Sequence, residues 1–148
     1  MHHAFDLRTI LLARHAQHVV LIHFPIALFI AGWAFDLLAR GRDASPFAAA
    51  AYLNFSVAAL SVVPVVATGF LAWRFALEGQ RLKGILLLHL MAASISTLVI
   101  LATWWLWRRA RRNQRWFPGR SRLVLETAGV LLIGLTAHLG GFLSGVNA

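Results

Sequence analysis

The stretch 84–107, GILLLHLMAASISTLVILATWWLW, decides the fold. It contains no Asp, Glu, Lys or Arg. A bilayer crossing needs about 20 consecutive apolar residues, so this run reads as a transmembrane helix. Three further runs qualify, over about Gln17–Leu38, Phe47–Leu77 and Leu123–Gly145. The second is longer than the bilayer requires, which predicts tilt, a kink at Pro64 or projection beyond the lipid. The connections are short and carry the breakers Gly41, Gly79 and Pro118-Gly119. Short connections make successive helices antiparallel neighbours. The expectation is an all-α, integral membrane, up-down four-helix bundle, forming a single transmembrane domain over residues 1–148. No internal repeat is apparent.

Composition agrees with this class. The chain is 59% hydrophobic with a mean hydropathy of +0.71, and only 13% of it is charged. A soluble domain carries about a quarter charged residues. Nearly all the chain is used in crossing the bilayer, which leaves no room for a soluble catalytic domain. Residues 1–14 hold Asp6, Arg8 and Arg14 around a short apolar patch, not the basic, apolar and small-residue succession of a cleavable signal. They read as a short interfacial helix leading into the first span.

The net charge of +9 is a topology signal. Seven of the fourteen basic residues lie between Arg108 and Arg122, beside a hydrophobic helix. That pattern fits anionic lipid and the positive-inside rule, and nucleic acid is not an expected partner. The loops 39–46 and 108–122 therefore face the cytoplasm. Both termini and the loop 78–83 are then expected to face outward. Trp104, Trp105, Trp107 and Trp116 mark the cytoplasmic interface as an aromatic belt.

Three histidines fall inside the spans: His23, His89 and His138. Ionisable side chains in hydrocarbon are costly and mark functional sites. His23 lies six residues inside the first span and His89 six residues beyond Lys83, each roughly 9 Å deep at the helical rise. His138 lies seven residues before Gly145, roughly 10 Å from the same face. The second helix brings Thr68 and Gly69 to a similar level. His18 is further out on the first helix, with His15 beyond it. Pro25 removes a backbone donor and frees carbonyls near Leu21, a further sign of a site or a kink.

This layer suits nitrogen-ligand chemistry. The chain has no cysteine, which excludes disulfides, thiolate zinc, iron–sulfur ligation and covalent haem attachment. A b-type haem is held by two imidazoles from facing helices, and nearby glycines (Gly69, Gly140, Gly141) let a flat macrocycle approach the backbone. His18, His15, Arg74, Arg81 and Lys83 are available for its propionates. A copper or zinc site on His23, His89 and His138 suits the same donors. A third reading makes the histidines interhelical hydrogen-bonders in a cofactor-free anchor. Asp36 and Glu126, near Arg40 and Arg122 at the other ends of their helices, read as structural ion-pair partners. No acidic residue lies in the middle of a span, which argues against an ion pump. Gly141-x-x-x-Gly145 and the run Ala48–Ala51 permit close helix contact.

The chain reads His18-Val-Val-Leu-Ile-His23-Phe24-Pro25-Ile26-Ala27-Leu28 followed by Asp36, then Thr68-Gly69 and Trp73, then His89, then His138-Leu-Gly140-Gly141. In this order the motifs resemble the DUF2231 family of small bacterial integral membrane proteins, which implies the inner membrane of a bacterium. The resemblance covers nearly the whole chain. The family pattern often has Pro after the first histidine, where this chain has Val19. Fusions of family members to Rieske or cytochrome c domains imply a redox setting, and the motif match adds His18 to the ligand set. The leading expectation is a haem b electron-transfer subunit working between an outer-side Rieske-like or cytochrome c-like partner and the quinone pool. Such a chain catalyses little alone. The alternatives are a histidine-ligated copper or zinc protein and a cofactor-free anchor or assembly subunit.

Overall fold

The structure, a computed structural model, describes residues 14–39, 45–113 and 119–144. The expected N-terminal interfacial helix, Arg40, Arg42 and Trp116 lie outside the described residues. The elements are α1 (Arg14–Leu21), α2 (His23–Ala39), α3 (Pro46–Leu71) with a π-helical turn at Ala72–Ala76, α4 (Gly84–Asn113) and α5 (Gly119–Leu143). They form four membrane-crossing spans: span 1 Gln17–Ala39, span 2 Pro46–Ala76, span 3 Gly84–Arg112 and span 4 Arg120–Leu143. The described residues contain no strand. Large apolar side chains such as Leu60, Val63, Leu98 and Leu131 point out of the bundle, as lipid contact requires.

Local chemistry sets the helix boundaries. Pro25 cannot donate to Leu21, and the helix breaks at Ile22, separating α1 from α2. Ser45 caps α3 by accepting from the Ala48 amide at 3.2 Å, with Pro46 at the first helical position. Pro64 lies within α3 without ending it. The basic stretch differs from the sequence expectation of one long loop over 108–122. Helix α4 runs on to Asn113 and α5 already begins at Gly119. Arginine is a good helix former, so the helices continue past the lipid and shorten the connection.

The spans form a ring. Span 1 packs on spans 2 and 4, and span 3 packs on spans 4 and 2, so spans 1 and 3 occupy one diagonal. Packing is more extensive within each hairpin, 1 with 2 and 3 with 4, than between hairpins. At the centre Phe29 meets Phe55 edge-on at 5.1 Å, and Phe55 meets Trp107 at 5.9 Å.

Burial reveals a repeat that residue identities hide. The buried positions of span 1 are Pro25, Phe29, Gly32, Asp36 and Ala39. Those of span 3 include Ser96, Ile100, Thr103, Trp107 and Ala110. Each member of the second set is its counterpart in the first advanced by 71. The same offset relates Phe55 to Glu126 and Val62 to Ile133, all buried. It also relates His18 to His89, Trp33 to Trp104 and Gly69 to Gly140, which are identical pairs. The bundle is thus two similar helical hairpins in parallel orientation. Chemistry within the repeat has diverged, with Ser96 opposite Pro25 and Glu126 opposite Phe55, so the sequence reading of no repeat is corrected by burial.

Candidate functional site

One end of the bundle carries His18 and His89, and the other carries a buried ion-pair cluster. At the histidine end a cavity of about 630 Å³ opens between spans 2 and 3. Its walls are apolar side chains such as Phe70, Leu82 and Leu86, and His18 and His89 both face it. A smaller cavity of about 90 Å³ lies deeper, lined by residues from all four spans and again by both histidines.

Each ring is held by its neighbours. His89 Nδ1 lies 3.2 Å from the Thr136 carbonyl. A carbonyl only accepts, so the proton sits on Nδ1 and Nε2 carries the lone pair. His18 Nδ1 lies 3.2 Å from Thr68 Oγ1. The Thr68 hydroxyl lies 2.8 Å from the Pro64 carbonyl and 3.1 Å from that of Val65, so its single proton is committed to the backbone. Thr68 therefore accepts from His18 Nδ1–H, which again leaves the lone pair on Nε2. Ligating histidines are oriented in this way, the second nitrogen donating to a carbonyl or similar acceptor.

The two glycines make room for the rings. A Cβ on Gly69 would stand 2.9 Å from His18 Cε1, and one on Gly140 would stand 3.1 Å from His89 Cε1. Both imidazoles lie against bare backbone on the adjacent helix. Each hairpin thus builds the same unit, a histidine on its first helix seated over a glycine on its second.

The other expected site residues are placed elsewhere. His23 is exposed beside the Ile22 break, with Nδ1 donating back across it to the Val19 carbonyl of α1 at 2.6 Å. His138 is exposed and meets Phe142 edge-on at 4.9 Å. Gly141 accepts from the Ser144 hydroxyl through its carbonyl. None of the three lines either cavity. Among the described residues no three His, Asp or Glu side chains are grouped to hold a metal ion, so His23, His89 and His138 do not form one cluster. Sequence reasoning missed Thr136 and Ser96, whose hydroxyls lie 2.9 Å apart below His89. The available signal was spacing, since Thr136 precedes Gly140 by four and shares its helix face.

The cations expected near the site are at this end. Arg74 is exposed, with its guanidinium 5.9 Å from the Phe75 ring, and Arg81 and Lys83 are exposed in the connection between spans 2 and 3. Trp73 Nε1 donates to the Gln80 carbonyl at 3.0 Å and ties that connection to span 2.

At the opposite end Arg122 forms a bidentate pair with Asp36, at 2.7 and 2.9 Å. Its Nε lies 3.9 Å from Glu126, and its guanidinium lies 4.5 Å over the Trp107 ring. Trp107 Nε1 donates to Glu126 Oε1 at 2.9 Å. The cluster joins spans 1, 3 and 4 and has the architecture of a structural clamp. The expected neighbour Arg40 is outside the described residues.

A profile of predicted membrane proteins, DUF2231, matches residues 14–146. No curated protein and no solved structure matches the chain. The matched region takes in all four spans, both histidine–glycine units and the ion-pair cluster, and the chain belongs to the DUF2231 family of membrane proteins.

Proposed function

We propose that this protein is a membrane-embedded electron-transfer subunit that carries haem b in the cavity between spans 2 and 3. One observation carries the reading. Two imidazoles, each with Nδ1 engaged and Nε2 bearing the lone pair, face a single apolar cavity of about 630 Å³. That volume falls in the range of roughly 300–1,000 Å³ typical of cofactor sites. The donor set also favours iron, because a b-type haem is held by two imidazoles from facing helices whereas structural zinc takes four protein ligands.

When bound, haem b supplies one-electron exchange. The chain's own residues do the rest. His18 and His89 would hold the iron, and Thr68 and the Thr136 carbonyl fix the ring orientations. Gly69 and Gly140 give the rings room. Phe70, Leu82 and Leu86 exclude water, and Arg74, Arg81 and Lys83 balance the propionate charge. In this reading the histidine end is the outer face of a bacterial inner membrane, where a Rieske-like or cytochrome c-like partner docks. Quinone is the partner in the lipid.

The test is an absorption spectrum of purified protein, oxidised and then dithionite-reduced, after expression in haem-replete cells. A Soret band and a pyridine haemochrome are expected. Folded protein without either removes the proposal.

A further inference from the structure

The repeat equates the seam between spans 2 and 3 with the seam between spans 4 and 1, yet the two are built differently. At the seam of spans 1 and 4, Trp33 Nε1 donates to Thr127 Oγ1 at 3.1 Å, and Asp36 answers Arg122 with two short hydrogen bonds. The offset of 71 carries Asp36 to Trp107 and brings Arg122 back to Ala51, so the matching positions of spans 3 and 2 are uncharged. Trp104, the counterpart of Trp33, has the Arg108 guanidinium 5.4 Å over its ring. Arg111 reaches across the seam and stands 4.7 Å over Tyr52 of span 2. Among the described residues the ion pairs are those of Arg122, so Arg108 and Arg111 meet rings and no carboxylate.

Helical spacing ties these arginines to the larger cavity. Thr97 lines it, and Leu101, Trp104, Arg108 and Arg111 continue from Thr97 at steps of four and three along one face of span 3. On span 2, Tyr52, Ala59, Val66 and Trp73 follow at sevens, and the last two line the same cavity. The seam is therefore one track, with the cavity at one end and two exposed guanidiniums at the other. Its length matches one leaflet. The rise from Thr97 to Arg108 is roughly 16 Å, and half of the hydrocarbon core is about 15 Å. Its charge matches an anion. At the arginine end Arg40, Arg42 and the seven arginines from Arg108 to Arg122 face three acidic residues, Asp36, Asp43 and Glu126, for a net charge of +6.

We infer that this seam binds one anionic phospholipid of the leaflet at the arginine end, its phosphate between Arg108 and Arg111 and one acyl chain along the track to the rim of the cavity. A guanidinium attracted to a ring face keeps N–H groups for a phosphate, which arginine takes in a two-pronged geometry. Trp104 and Tyr52 set both guanidiniums at the height of the membrane interface, where phosphates lie. The lipid stops at the rim and leaves the cavity to another occupant, so the inference stands apart from the haem reading.

The experiment uses the full chain, purified in detergent, stripped of lipid and titrated with phosphatidylglycerol under native mass spectrometry. One phosphatidylglycerol per chain should be retained at concentrations where phosphatidylcholine with the same acyl chains is lost. Arg108→Gln and Arg111→Gln should each weaken retention roughly fivefold, and together roughly 25-fold, as expected for one and for two basic residues at an anionic surface. Arg109, over Trp105 at 5.3 Å, lies about 100° round the helix from Arg108, and Arg120 is on span 4. Arg109→Gln/Arg120→Gln thus removes the same charge away from the track and should leave retention unchanged. Circular dichroism should report the same helix content in every variant. Phosphatidylglycerol brominated along its chains should quench the emission that Trp104→Phe removes. Equal retention of phosphatidylcholine, or an equal loss in Arg109→Gln/Arg120→Gln, would overturn the inference. Displacement of the lipid by glycerol phosphate or by an acidic peptide would do the same, pointing to a headgroup site without a track or to a protein partner. Chains with and without haem should retain the lipid alike, so failure of either proposal leaves the other to be judged by its own result.

Discussion

Arg122→Met should be the most destabilising single change at the ion-pair cluster. It removes a guanidinium that makes two short bonds to Asp36, approaches Glu126 at 3.9 Å and covers the Trp107 ring at 4.5 Å. The Asp36 side chain is 3% exposed and that of Arg122 is 11% exposed, so water cannot take over the lost bonds. Removing one partner of a buried pair costs about 3–5 kcal/mol, because the remaining charge is stranded. Loss of the contact with Trp107 adds roughly 1 kcal/mol. A net loss of about 4 kcal/mol corresponds to roughly a thousandfold fall in the folding equilibrium. The assay is reversible denaturation by sodium dodecyl sulfate in bicelles, followed by tryptophan fluorescence. Asp36→Leu in the same chain removes the stranded carboxylate, so Asp36→Leu/Arg122→Met should be more stable than Arg122→Met alone. Their coupling should reach about 1.5 kcal/mol or more, within the span seen for contacting charged residues. A loss below about 1 kcal/mol for Arg122→Met would match an exposed pair and refute the reasoning, as would a double variant no better than the single.

Three further outcomes are expected. Gly69→Ala brings a methyl to 2.9 Å from His18 Cε1, so the ring must move and its bond to Thr68 lengthens; overpacking of this kind costs about 1–3 kcal/mol, offset by about 1 kcal/mol of helix propensity, and shows as weaker haem retention with little change in thermal stability. Thr68→Val keeps the shape and removes the acceptor for His18 Nδ1–H, and haem titration should then give roughly 10–100-fold weaker binding. Ser45→Ala deletes the α3 cap and should lower stability by about 1 kcal/mol in the same detergent assay, with haem content unchanged.

The four helices were legible because lipid imposes a long, charge-free run that few other folds need, and the run 84–107 meets that demand alone. The site was legible only at His89, since counting from a helix end set His18 outside the layer whereas His18 and His89 line the same two cavities. Counting residues from a helix end places His23, His89 and His138 at one depth, yet depth says nothing about which way a side chain points around the helix axis. At about 100° per residue, the five residues from His18 to His23 turn the chain by roughly 140° beyond a full circle, away from the cleft. The two residues from His138 to Gly140 turn it by roughly 200°, so His138 faces out where Gly140 faces in. Helix rotation is fixed by packing partners, which a single chain does not display. The hairpin repeat was hidden for a related reason. What it preserves is burial at matched positions, and Asp36 opposite Trp107 shares neither charge nor size.

The unequal packing of the ring implies an order of assembly. Each hairpin buries more against itself than against its neighbour, so the first has most of its contacts once span 2 has left the ribosome and entered the bilayer. The cavity does not exist at that stage, because His89 and Gly140 have not yet been synthesised. It forms only when the second hairpin docks. On the haem reading, occupancy of the cleft would then mark completed biogenesis, with the cofactor captured by finished chains and passed over by partial ones.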